Sequence, residues 1–307
     1  MLAMAHLTPL SHFKILKFTG PDAESYLQGQ ITNDTAQLQQ DNAQLACQCD
    51  AKGKVLSTFY LIRQKEALLL IGLAESLALS EAAFKKFAVF SKLEIEDVSE
   101  QLHLYGLGKE AFSQLSTEFA DLQLPESAFA KSQTSEAELF KLPGNSERFI
   151  LVSSKSLENV EISDNIEAWQ CAGIQAGITH LAEHASAEYI PQMLNLQALN
   201  AISFTKGCYM GQETVARAKY LGKNKRAGFI LSGKLAVPAQ VDDNIEMQLG
   251  ENWRRAGTIA SIVNSGQTGE TWIFAVLPND LEADAVLRLK SMPDSRLNIH
   301  PLPYSIE

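Results

Sequence analysis

Lys206-Gly207-Cys208-Tyr209-Met210-Gly211-Gln212-Glu213 places a thiol, an ammonium group and two glycines in one short segment. Thiolate is the reactive form of cysteine, and nearby positive charge favours it. If residues 204–208 are extended, Lys206 and Cys208 point to one face, because strand side chains alternate. Residues 212–220 have helix composition, which sets Cys208 close to a helix N-terminus, a second source of positive potential. Gly207 and Gly211 allow a ligand close to the backbone. The competing reading is a small buried hydrophobe, the usual role of a free cysteine.

The other candidates are weaker. Cys171 falls on an amphipathic helix and reads as core, while Cys47 and Cys49 share a strand face but lack further metal ligands. With four cysteines and no Cys-x-x-Cys pair, a structural zinc site is not expected and a reducing compartment is. His180-Leu181-Ala182-Glu183-His184 fits the His-x-x-Glu-His pattern of inverted zinc proteases. That chemistry requires a helix and a third ligand, and a loop is expected here, so no metal is assigned. The remaining histidines, His12 among them, are scattered. From 206 to 226 Lys206, Arg217, Lys219, Lys223, Lys225 and Arg226 stand against Glu213 alone. Such a run suits a small anion, a carboxylate or a phosphate, or else is a solvated face. The net charge of −10 repels a phosphate backbone, so stable direct nucleic-acid binding is not expected.

These residues need a scaffold. The length of 307 residues suggests two or three domains, and 46% hydrophobic residues supply their cores. No apolar run reaches a bilayer span, and no signal peptide is read, so the expected location is the cytoplasm, with no membrane partner. Strands are expected at 13–19, 43–49, 55–63, 67–72 and 93–98, with helices at about 21–30 and 75–90 and a turn at 50–53. This mixture without a βαβ repeat predicts an α+β layer. A second such unit begins at 102–108, with a helix at 109–119, a surface connection at 124–138 and a strand at 148–152. Residues 166–178 form a helix carrying Trp169, and 177–190 a loop. Short strands at 227–231, 245–249, 257–263, 271–276 and 286–289 predict a small C-terminal β-barrel. The expected domains are 1–98 plus 166–222, 99–165, and 223–307.

The segment 206–213 matches the Lys-Gly-Cys-Tyr-x-Gly-Gln-Glu signature of the YgfZ family. Agreement continues through 195–199, 215–219, 28–30, 50–54, 88–92, 250–255 and 301–304, and is weak over about 108–165. The chain thus resembles bacterial folate-binding proteins described as tRNA-modifying and linked to iron–sulfur cluster assembly or repair. The wider relatives are the T-protein of glycine cleavage and dimethylglycine oxidase. Their likeness, seen at 19–23 and 31–34, implies a ring-like, multi-domain fold around a central cavity. The resemblance implies a tetrahydrofolate or derivative in that cavity, near Cys208. Its contacts would include Trp169 and Phe13, where relatives carry Trp, with Tyr209, Gln212, Glu213 and Arg217 from the signature segment and helix.

The resemblance therefore implies a folate-binding protein that supports iron–sulfur enzymes, such as those that methylthiolate tRNA, through Cys208 with Lys206 tuning it. One cysteine cannot hold a whole cluster, so cluster binding would need a partner. The alternatives are a folate-dependent aminomethyltransferase and a non-catalytic interaction module. For the first, the amine-positioning acid should fall near Glu75 to Glu81, where the register places Leu79.

Overall fold

The computed structural model describes residues 6–222, 224–266 and 268–306. Its first sheet runs Ala43–Cys49, Val55–Gln64, Ala67–Leu73, Phe13–Thr19, Glu94–Asp97 in spatial order, with every neighbour antiparallel. The alternation of these strands sorts their side chains onto two buried faces. Leu16, Phe18, Phe59, Leu61, Leu68 and Leu70 pack under helices α1 (Ala23–Gln28) and α2 (Ala74–Phe87), against Tyr26, Leu27, Leu77 and Phe84. Phe13, Ile15, Leu45, Cys47, Tyr60, Ile62 and Ile71 face the opposite way, into the centre of the molecule. Two covered faces explain why Leu68-Leu69-Leu70-Ile71 reads as one apolar run.

The second sheet has the order Thr8–Pro9, His103–Gly108, Arg148–Ser153, Ala137–Lys141, Lys131–Gln133. One face packs Leu107, Leu139, Phe149 and Leu151 on Ala111, Leu115 and Phe119. The other sends Leu104, Phe140, Ile150 and Val152 into the same central cluster as the first sheet. Helix α3 (Ile166–Gln175) lies between the two sheets and the barrel, its N-terminus capped by Asn165, which accepts from the Ala168 amide.

The C-terminal strands close into a barrel of order Arg226–Gly233, Thr271–Pro278, Asn252–Asn264, Asn244–Leu249, Leu287–Leu289, Met292–His300. The last strand pairs with the first, Ile230 opposite His300. No helix among the described residues is long and apolar enough to cross a membrane.

The elements differ from expectation in four places. Residues 124–138 are more than a surface connection: Lys131–Gln133 and the start of Ala137–Lys141 pair there as sheet-edge strands. Lys109–Thr117 is a 3₁₀ helix. Thr8–Pro9 pairs with Tyr105 and Gly106 as an edge strand of the second sheet, a pairing too short to show in the sequence. The polar strand Met292–His300, which closes the barrel, carries too few apolar residues to register in the sequence.

Candidate functional site

The central cluster is not filled. A cavity of about 240 Å³ opens where the two sheets, α3 and the barrel meet. The first sheet and its flanks supply His12, Phe13 and Tyr60, the second sheet Arg148 and Ile150, and α3 Trp169, Gln170 and Gly173. Ile178 and His180 come from the loop after α3, and residues 260–263 from the barrel. The two aromatic residues singled out in the sequence, Phe13 and Trp169, therefore share one cavity wall. Trp169 is held by close packing: a Cβ placed on Gly106 would lie 2.5 Å from its ring.

Arg148 opens the strand Arg-Phe-Ile-Leu-Val-Ser and is 2% exposed. Its Nε and Nη2 have no hydrogen-bond partner among the described residues, and its guanidinium sits 5.3 Å from the centre of the Trp169 ring. Burial lowers its pKa, while the Tyr60 hydroxyl opposes the shift. A buried cation without a counter-charge is unfavourable in a bare protein and favourable beside an electron-rich ligand. Sequence reading missed it. Its only signal is a charged residue at the head of an otherwise apolar strand. His12 and His180 were missed as ligand-facing residues for the same reason: their meeting depends on tertiary packing.

The signature segment lies elsewhere. Cys208 is exposed and free, and it is absent from the cavity wall, as are Lys206, Tyr209, Gln212, Glu213 and Arg217. Residues 204–208 are not a strand, so Lys206 and Cys208 do not share a strand face. Instead the Lys206 side chain turns inward, and its Nζ donates to the carbonyls of Ile31 at 3.0 Å and Asn33 at 2.6 Å. Burial pushes its pKa down to about 8, partly offset by Asp34. Tyr209 is buried beneath it, with Nζ 5.4 Å from the ring centre. Burial, reinforced by Cys47 and Cys49, raises the pKa of the Tyr209 phenol.

Helix α4 (Gln212–Tyr220) follows, with Gly211 at its N-cap in the left-handed region at φ 81°. Gly211 could not be another residue: an added Cβ would sit 2.5 Å from the Asp50 carbonyl oxygen and 2.9 Å from the Cys49 Cβ. Glu213 and Arg217 form an exposed i,i+4 ion pair at 2.6 Å. Gln212 is half-buried and its amide donates to the Tyr209 carbonyl. The basic run is dispersed: Arg226 donates to the Ala256 carbonyl, and Lys219 covers the Phe204 ring. Lys223 lies outside the described residues.

Two further groups of candidate residues can be placed. Among the described residues no cluster of three His, Cys, Asp or Glu side chains could hold a metal ion, and Glu183 and His184 sit on a 3₁₀ turn. Of the candidate acids, Glu75 reaches the cavity wall, whereas Glu81 is held by Lys14 and Lys85. Leu79 lines a neighbouring surface groove.

Comparison with known proteins agrees with this fold. A family model described as "YgfZ, beta-barrel domain" matches residues 224–292. A tRNA-modifying protein YgfZ from Colwellia psychrerythraea is 41% identical over 312 residues, covering 99% of this chain and 95% of the relative. A protein of the same name from Pectobacterium carotovorum is 41% identical over 318 residues, covering 99% and 94%. Among solved structures, the glycine cleavage system aminomethyltransferase T from Bartonella henselae superposes with a TM-score of 0.72. That match covers 98% of this chain and 87% of the other at 16% identity, and so reports on the fold.

Proposed function

Because the chain belongs to the YgfZ family, we propose that it binds a reduced folate in the central cavity and supports iron–sulfur enzymes that modify tRNA, with Cys208 as its outward-facing reactive group. The observation that carries the folate reading is the cavity wall itself. Phe13, Tyr60 and Trp169 offer faces and edges to a flat ring, and Arg148 offers unpartnered N–H groups to a carbonyl or carboxylate. A bound tetrahydrofolate supplies nitrogens able to carry a one-carbon unit. The protein's part is to exclude water from the ring and to orient it.

In this reading the ligand and the thiol occupy separate places: Cys208 is exposed and is not among the residues that line the cavity. Cys208 meets its client from solvent, in the cytoplasm, and the effect on tRNA is indirect, in keeping with the acidic chain. Titration with tetrahydrofolate, followed by tryptophan fluorescence, tests the first half. Saturable quenching that Trp169→Ala abolishes is expected, and no binding by the wild type would sink the proposal. Cys208→Ala tests the second half: folate binding is retained and tRNA methylthiolation falls. An unchanged level of methylthiolation removes the cysteine from the function.

A second reading, folate-dependent aminomethyl transfer, is favoured by Glu75 at the cavity wall. It requires that Glu75→Gln abolish transfer to tetrahydrofolate while leaving folate binding intact.

A further inference from the structure

His180 enters the cavity from the loop after α3, and its ring meets Phe13 and Tyr60 edge-on at 5.1 and 5.3 Å between centres. Its tautomer follows from its neighbours. Nδ1 lies 3.1 Å from the Thr58 hydroxyl oxygen and 3.2 Å from the Thr58 carbonyl oxygen. A carbonyl only accepts. The Thr58 hydroxyl uses its single hydrogen to donate to the Thr179 carbonyl at 3.1 Å, so that oxygen accepts as well. Nδ1 therefore carries the proton. Burial keeps the second proton off and pushes the pKa down to about 4; the Thr58 hydrogen bond opposes this, while the charges of His12 and Arg148 add to it. Nε2 is left with a lone pair and makes no hydrogen bond to any described residue.

The cavity thus holds an acceptor in His180 and a donor in Arg148, with aromatic walls around them. We propose that His180 is a specificity-determining residue: Nε2 accepts from an N–H of the bound ring while Arg148 donates to an acceptor on the same ligand. The site then selects a nitrogen heterocycle that carries both groups, and a ligand lacking the N–H leaves Nε2 unpaired. The inference rests on the folate reading and adds to it the group that discriminates between ligands.

Calorimetric titration of the full chain tests it, using tetrahydrofolate, a reduced methylpterin without the tail, and p-aminobenzoylglutamate, which lacks the heterocycle. His180→Phe keeps an aromatic ring but removes the acceptor. It should weaken tetrahydrofolate and the methylpterin by a common factor of about 10–100-fold. His180→Gln, which restores an acceptor, should recover most of that loss. If His180→Phe binds both pterins as the wild type does while Trp169→Ala still fails, the folate reading stands and the role of His180 is wrong. If the wild type binds neither pterin, the folate reading falls and the proposal with it. Nitrogen NMR of histidine-labelled wild-type protein gives a readout free of substitution. A protonated Nδ1 and an Nε2 signal that shifts on adding the methylpterin are expected; a protonated Nε2 overturns the proposal.

Discussion

Lys206 carries its charge into a cage of backbone carbonyls rather than toward the thiol two residues away. Lys206→Met would leave the Ile31 and Asn33 carbonyls without their donor, lowering stability by about 1–3 kcal/mol in a urea titration. The rate at which Cys208 reacts with a chromogenic disulfide should be unchanged in that variant; a slower reaction would restore the tuning role. Arg148 makes the opposite prediction. Its buried charge has no counter-ion among the described residues, so Arg148→Met should raise the stability of the ligand-free protein by about 1 kcal/mol or more while weakening tetrahydrofolate binding. Loss of both stability and binding would mark Arg148 as a packing residue. His180 predicts an acid effect. An unfolded histidine takes up its proton near pH 6.5, whereas folded His180 does so only near pH 4. Between these values the unfolded chain binds more protons, so stability is lost as the pH falls through that window, by up to about 3 kcal/mol. His12, whose pKa burial also lowers, acts in the same direction, while Arg148, Tyr60 and Glu75 complete the charged and titratable surroundings. His180→Gln should flatten the profile in urea melts taken across this range.

At the scale of elements, α3 is seated by one glycine. Gly106 lies in the strand His103–Gly108, and any side chain there would enter the Trp169 ring. Gly106→Ala should destabilise the fold by about 1–3 kcal/mol and shift the tryptophan emission as the helix lifts. An unshifted spectrum at full stability would show that the seat of α3 does not depend on this glycine. Local order of this kind was legible in advance where one segment carried the whole signal. Phe13–Thr19, Ala43–Cys49 and Gln212–Tyr220 follow from alternation or helix composition within their own residues. Lys131–Gln133 did not, because a three-residue edge strand is defined by its partner and not by its own pattern. The cavity was half legible. Phe13 and Trp169 could be named from the resemblance, but Arg148, His12 and His180 meet only when two sheets and a loop converge. Alternation would put Lys206 beside Cys208 only in a strand, and the chain bends at 204–206 instead.

At the scale of the molecule, one apolar cluster ties all parts together. Residues from both sheets, α3, the barrel strands and the C-terminal Tyr304 belong to it, and the Tyr304 hydroxyl donates to the Gly177 carbonyl at 2.6 Å. Thermal unfolding should therefore be a single transition with matching calorimetric and van't Hoff enthalpies. Two resolved peaks would show that the barrel melts by itself. The same connectedness has a kinetic side. Gly53, at φ 75°, meets Gly211 and Thr214 so closely that neither turn can settle without the other. About half the chain separates them, so this contact closes a long loop, and such contacts are slow to form. During synthesis the turn at Asp50 emerges long before its counterpart. The Asp50 turn therefore stays unlocked until Gly211 and Thr214 have been made, and the neighbouring thiols of Cys47 and Cys49, buried in the folded protein, lie open to the cell's oxidants and metals in the interval.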